Sequence, residues 1–260
     1  AQLRRGTGPG RSPPPVLMET VNPGFVPDPS LSREAMTVLQ TEIASAARFE
    51  NDPAIEDLDG KTVVGVDQAF SDDRAISAIV AVRGGEVVER VAVEEALTFP
   101  YVPGFLSFRE GGPIVSAFEA LTIEPDLALF DGNGRLHYRQ AGLATHLGVV
   151  FDLPAIGVAK RLLCGRPRGP LDGLDAGSRV AIEADDAVEA PAGTVLGYAV
   201  QTRQWAASDR HINPVFVSPG HRIGANSAAD HVETLCRGYK LPEPIRLADR
   251  HAATVKADRA

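Results

Sequence analysis

A chain of 260 residues with 44% hydrophobic residues can build one large core, and no apolar run approaches the ~18 residues that a membrane-spanning helix needs. The formal net charge of −8 argues, taken alone, against a duplex-binding surface. Two cysteines, Cys164 and Cys236, have no metal-type partners nearby in sequence and read as reduced thiols, which excludes a disulfide framework or a zinc ribbon.

The opening AQLRRGTGPGRSPPPV combines Gly, Pro and Arg with no apolar stretch. It reads as a disordered tail over 1–27, not as a secretory signal, with Met18 a candidate native start. A single catalytic domain is expected over 28–255. The only lysines are Lys61, Lys160, Lys240 and Lys256, and an acidic, Lys-poor chain suits a high-salt cytoplasm.

Apolar positions at Leu31, Ala35, Val38, Leu39, Ile43 and Ala46 predict a helix over 31–50, with Asp28 and Ser30 as cap candidates. Strands follow over 61–70, 75–82 and 87–97, and the short turns SDDR and RGGE make them an antiparallel meander. The stretch FPYVPGFLSFREGG (99–112) is aromatic, yet Pro100, Pro103 and Gly104 forbid a regular element through its first half. A helix over 113–123 is expected to carry Pro113 near its first turn. Then come a buried strand over 125–134, a helix over 141–152 and a strand over 154–160. Residues 165–193, rich in Gly, Asp and Pro, read as a surface excursion. Strands over 194–203 and 214–222 precede a helix over 226–239, capped by Asn226 or Ser227. A meander followed by alternating helices and strands predicts an α/β domain with a mixed central sheet.

Two strands end alike. Asp67 in TVVGVDQAF shares a face with Val63 and Gly65, and Asp131 in DLALFDG shares one with Leu127 and Leu129. Two carboxylates aimed into one cleft repel unless a cation lies between them, and oxygen donors of this kind suit Mg²⁺. Read singly, either Asp is as readily a turn residue, Asp131 above all since it precedes Gly132; Asp67 fits a turn less well, because Gln68, Ala69 and Phe70 continue its strand. Glu110 follows the aromatic loop. It is either a third acid for the cleft or a helix-start residue paired with Arg109. His146, in ATHLG, reads as helix packing.

The stretches GVDQAF, PYVPGFLSFREGGP, PDLALFDGNGRLH, AGLATHLGVVFDLPAIGVAKRLLCG and SPGHRIGANSAADHV…GYKLPEPIRLAD occur in order across residues 60–250. Together they resemble the endonuclease V family of deoxyinosine-directed nucleases with an RNase H-like fold. The resemblance implies that Asp67, Glu110 and Asp131 hold a divalent metal, Mg²⁺ with Mn²⁺ as a substitute. Lys160, His137 and His221 match polar positions near the scissile phosphate and are candidates for catalysis. Tyr101 matches the wedge that separates the strands. Pro103, Gly104, Leu106, Arg109, Gly132 and Gly134 complete the implied substrate contacts. The implied cut falls at the second phosphodiester bond on the 3′ side of the deaminated base. Tyr138 and Gln68 depart from the usual family residues.

The resemblance gives the irregular aromatic loop that begins the 99–112 stretch a physical purpose. A stacked base must be extruded before it is read, and the gap must be filled. The prolines stiffen the wedge beforehand. Gly104 permits close approach, and Phe105 and Leu106 are expected to line the pocket for the extruded base. The expected partner is nucleic acid, damaged DNA or inosine-containing RNA, with no membrane, for a monomer in the cytoplasm. Arg135, Arg139, Arg161, Arg166, Arg168 and Arg222 form either a basic track or a scatter of solvated charges. An inosine-specific endoribonuclease would use the same acids and differ in its contacts to the 2′-OH. A small-molecule phosphotransferase would need a second glycine-rich phosphate loop, which the sequence lacks. The three acids count against a non-catalytic lesion-binding module.

Overall fold

The computed structural model describes residues 18–71, 73–205 and 212–259. Helix α1 (Arg33–Ala46) starts at Ser32, whose side chain accepts from the Ala35 amide. Asp28 and Ser30, the expected caps, instead bond one another (2.8 Å from the Ser30 amide to Asp28 Oδ1). Strands β1 (Thr62–Ser71), β2 (Arg74–Arg83) and β3 (Glu86–Ala96) form the expected meander. β2 is buried along nearly its whole length, because helices cover both faces of the sheet there.

Helix α2 spans Leu106–Glu119, beginning well before the expected start at Pro113. Arg109 and Glu110 therefore sit in its opening turns and not on a loop. Pro113 is tolerated inside the helix, where it forgoes one backbone bond. β4 (Leu127–Asp131), α3 (Leu143–Phe151) and β5 (Ala155–Ala159) follow as a parallel unit. The glycine-rich excursion contains an edge hairpin of β6 (Arg166–Pro167) and β7 (Arg179–Glu183). β8 (Val195–Val200) and β9 (Val215–His221) complete a nine-stranded sheet of order β3-β2-β1-β4-β5-β9-β8-β7-β6. β1, β4 and β5 are parallel and the other pairings antiparallel, which is the mixed sheet expected of an RNase H-like fold.

Alternation along the central strands splits the core in two. Val64, Val66, Ala128 and Phe130 face α2 and α3. Val63, Leu127, Leu129, Ile156 and Val158 face α4 (Ala225–Cys236) and α5 (Glu243–Asp258). Each fully buried large side chain contributes about 1.5–3 kcal/mol. The cap of α4 is Gly224; Asn226 accepts instead from the Tyr198 hydroxyl at 2.5 Å.

α5 has no counterpart in the sequence reading, because Pro242 and Pro244 disguise its start. Proline fits the first helical turn, where its missing N–H would be unpaired anyway. The helix presses on β1 at Gly65, where a Cβ would lie 2.0 Å from the Pro244 carbonyl carbon, so only glycine allows this approach. The tail expected over 1–27 does not extend to its last residues. Val21 and Asn22 amides donate to Val150 O (3.0 and 2.9 Å), and Phe25 packs on the core. Residues 1–17 lie outside the described residues. Among those described, no helix is long and apolar enough to cross a membrane.

Candidate active site

The parallel register brings the first two acids together. Val66 pairs with Phe130, so Asp67 and Asp131 leave adjacent strands at the same level. Glu110 enters from α2, Lys160 from the end of β5 and Asp249 from α5. All five, with Gln68, line one cleft of about 250 Å³. Asp249 was not singled out from sequence. Its only local signal is an acid next to the buried Ala248 on an amphipathic segment whose helical start Pro242 and Pro244 disguise.

Charge in the cleft is poorly compensated. Burial and then the charge of Asp131 push the Asp67 carboxyl up to about 7, against the Gln68 amide that bonds its Oδ1 at 2.7 Å. Burial likewise pushes Glu110 up to about 7, with Asp131 and Asp67 adding to the effect and Arg109 opposing it. Lys160 Nζ donates to Asp131 Oδ2 at 2.5 Å. Burial would lower the Lys160 pKa, but that bond and the charges of Asp131, Asp67 and Asp249 raise it, so the amine stays an ammonium.

Among the described residues no three His, Cys, Asp or Glu side chains close into a ready ligand cluster. The acids share a cleft without gripping a common point. Their chemistry still fits a hard divalent cation. The donors are all oxygen, burial and the charge of Asp131 raise two of them to about 7 so that a cation between them would favour their ionised form, and Mg²⁺ asks for only one or two carboxylates plus waters. Gln68 adds an oxygen. Its Nε2 donates to Glu110 O (3.1 Å) and to Ser77 Oγ, and its Oε1 is buried with no partner among the described residues.

A second, narrow pocket of about 60 Å³ shares Leu143 with the acid cleft. Tyr101, Pro103, Gly104, Leu106, Asn133 and His137 contribute to its walls. Tyr101 is 67% exposed at the tip of its loop and is not a core tyrosine. The loop is anchored from three sides. Arg109 donates to Phe99 O at 2.6 Å, Gln40 to Gly104 O at 2.7 Å, and His137 Nε2 to the same Gly104 carbonyl at 3.0 Å. Gly104 itself has φ +82°, which a residue with a side chain adopts only under strain. Phe105 does not line the pocket; it packs on Phe108 with the Arg139 guanidinium over its ring.

The structure separates the other candidates from the acids. His137 Nδ1 accepts from the Arg139 amide (3.3 Å), so Nε2 carries the proton given to Gly104 O, and burial pushes the ring down to about 4. His137 is a neutral tether of the wedge loop. His221 pairs with Ala155 while Phe216 pairs with Ala159, so the antiparallel register carries His221 to the end of the sheet away from Lys160. There it bonds Asp152 Oδ1 (2.9 Å) and accepts from the Arg48 amide (3.2 Å). Gly132 donates to Val158 O, and the Gly134 amide donates to Ser218 Oγ; both pack the sheet and line neither cavity. Arg109 braces the loop from below. His146 is fully buried between Ser107 and Phe25 O, as expected of helix packing. Of the six arginines, Arg168 and Arg222 are bound to Glu183 and Asp52, Arg139 to Glu189 and Gln40, and Arg135 lies over Phe49. Arg161 and Arg166 are exposed, with no ion pair among the described residues.

The chain is similar to known proteins in sequence and in fold. The profile of the endonuclease V family matches residues 41–250. An endonuclease V from Natronomonas pharaonis is 57% identical over 245 residues, covering 92% of this chain and 98% of the relative. The crystal structure of endonuclease V from Streptomyces avermitilis superposes with a TM-score of 0.75 at 33% identity, over 93% of this chain and all of that one (100%). That of Ciona intestinalis, solved with a 24mer DNA containing an inosine followed by a ribo-adenosine, superposes with a TM-score of 0.70 at 26% identity, over 87% of this chain and 98% of that one.

Proposed function

The chain belongs to the endonuclease V family, and from that membership we propose that it extracts a deaminated base from DNA and hydrolyses the second phosphodiester bond on its 3′ side. The observation that carries the reading is the shared wall at Leu143, which sets a pocket beneath an exposed tyrosine directly beside a cleft of acids. The Ciona relative's inosine-containing DNA supports the same substrate class.

Tyr101 enters the base stack and fills the gap, offsetting part of the unstacking cost of a few kcal/mol. Its anchors at Phe99 and Gly104 limit the freedom lost on binding. Leu106, Asn133 and Leu143 receive the displaced base. Asp67 and Asp131, with Glu110, would hold Mg²⁺ or Mn²⁺. When bound, the ion would supply charge to polarise the scissile phosphate and to lower the pKa of an attacking water, the chemistry that leaves 5′-phosphate and 3′-hydroxyl ends. Lys160 keeps its proton, fixes the Asp131 carboxylate and offers positive charge to the phosphate as charge develops there. Asp249 adds to the negative field that draws the ion in.

The test is a Mg²⁺-dependent nicking assay on a duplex with one inosine, run beside the same duplex without inosine and an inosine-containing single-stranded RNA. Nicking confined to the inosine strand of DNA, lost in Asp67→Asn with binding retained, is the expected result. Preferential cutting of the RNA would assign the chain to the endoribonuclease reading. Nicking that survives Asp67→Asn would overturn the metal assignment.

A further inference from the structure

The acid cleft straddles the ends of the central strands, and the pocket beneath Tyr101 opens on the α2/α3 side of the sheet. On the opposite side an exposed aromatic and cationic surface continues from the cleft. Lys160 ends β5; Ala159 beside it pairs with Phe216, and Val215 pairs with Val200 at the end of β8. The chain leaving β8 thus emerges at the cleft end of the sheet. Thr202 Oγ1 donates to Lys240 O (2.7 Å), tying this segment to the α4–α5 connection. Lys240 is thereby held toward the end of the sheet where Lys160 also stands, so two of the chain's four lysines lie at the cleft end of a protein of net charge −8.

The two tied segments each carry a large exposed aromatic ring, Trp205 after Thr202 and Tyr239 before Lys240. Trp205, the only tryptophan in the chain, is 48% exposed, and the Arg203 guanidinium lies 4.7 Å from its ring centre. Arg203 has no acidic partner among the described residues. Tyr239 is 44% exposed, under Arg246, whose own charge is taken by Glu243. Exposed rings interleaved with cations are the ordinary platform for a nucleic-acid strand, where bases stack and phosphates meet positive charge.

We propose that Trp205, Arg203, Lys240 and Tyr239 form a second nucleic-acid contact, on which the substrate strand 3′ of the cut is held by stacking on Trp205. This rests on the function proposed above. A strand whose lesion base occupies the pocket on one face, and whose phosphate crosses the acids, reaches the opposite face with its 3′ portion.

Trp205 also reports its own occupancy, since all tryptophan fluorescence comes from it. Two inosine oligonucleotides are compared under conditions that prevent cleavage, with binding followed independently by anisotropy of a 5′ dye. One extends well past the cleaved bond on the 3′ side; the other stops near it. The longer strand is expected to quench Trp205, and the shorter to bind without quenching. Trp205→Ala, with Trp205→Phe as a check that the fold is kept, is expected to weaken the longer strand about tenfold, within the range for loss of one stacked base, and to leave the shorter unaffected. Lys240→Gln is expected to reduce the salt dependence of binding for the longer strand only. Equal quenching by both strands, or none by either while both bind, would overturn the second contact. Failure of both to bind in anisotropy would instead overturn the nucleic-acid reading itself.

Discussion

Replacing Asp67 by Asn should destroy nicking yet stabilise the metal-free protein. The native carboxyl keeps its proton up to about 7, while the unfolded one ionises near 3.8. Between these values the native state binds the more protons, so stability falls as pH rises, and the whole penalty is present above pH 7. The difference corresponds to an upper bound of about 4 kcal/mol. Asp131 and Lys160 readjust once the charge is gone, and roughly 2 kcal/mol is the expected gain, a Tm increase of ~4–8 °C for a chain of this size. Asn keeps a carbonyl oxygen for the Gln68 amide, so that bond survives. The assay is thermal unfolding in chelator across a pH series. The variant should exceed the wild type most above pH 7, and the gap should close as pH falls through 3.8, below which the aspartate is neutral in the folded and unfolded states alike. Mg²⁺ should raise the wild-type Tm far more than the variant's, because binding to the folded state alone stabilises it. A gain independent of pH, or a loss at pH 8, would refute the claim that Asp67 is an uncompensated charge.

Three further outcomes can be measured with the same purified protein. Tyr101→Ala removes a side chain that is 67% exposed, so unfolding free energy should move by no more than ~0.5 kcal/mol while affinity for an inosine strand drops about tenfold or more. His137→Ala withdraws one donor from Gly104 O, which keeps Gln40, and should lower stability by ~0.5–1.5 kcal/mol and weaken substrate binding by loosening the loop. Because the native ring titrates only near about 4, the pH profile of cleavage above that value should keep its shape, and an altered acid limb would mark His137 as a proton carrier after all. His221→Asn should leave kcat unchanged and lower stability at neutral pH. Burial holds the native imidazole neutral, so its contribution is present above the ordinary value of 6.5 and is lost as pH falls; the variant should lose less on acidification than the wild type.

Much of the fold can be read locally. The alternation in β1 to β3, the tight turns between them and the 3.6-residue spacing in α1 are short-range patterns, and each element forms where they occur. The misread elements have local disguises. Prolines hide the start of α5, glycine and proline hide the early start of α2, and a glycine-rich run hides the edge hairpin around β7.

The candidate site divides along the same line. Residue order alone determined that two apolar strands end in aspartate, that a stiff aromatic loop precedes Arg109 and Glu110, and that a lysine follows β5. Only the tertiary structure decided which of these meet. It added Asp249 by laying α5 across Gly65, turned His137 into an anchor for the wedge loop, and carried His221 to the far end of the sheet. The reason is physical. Side-chain facing repeats every two or 3.6 residues and is local, whereas strand direction, register and helix docking depend on pairings between residues distant in the chain, and these decide which end of the sheet a group occupies.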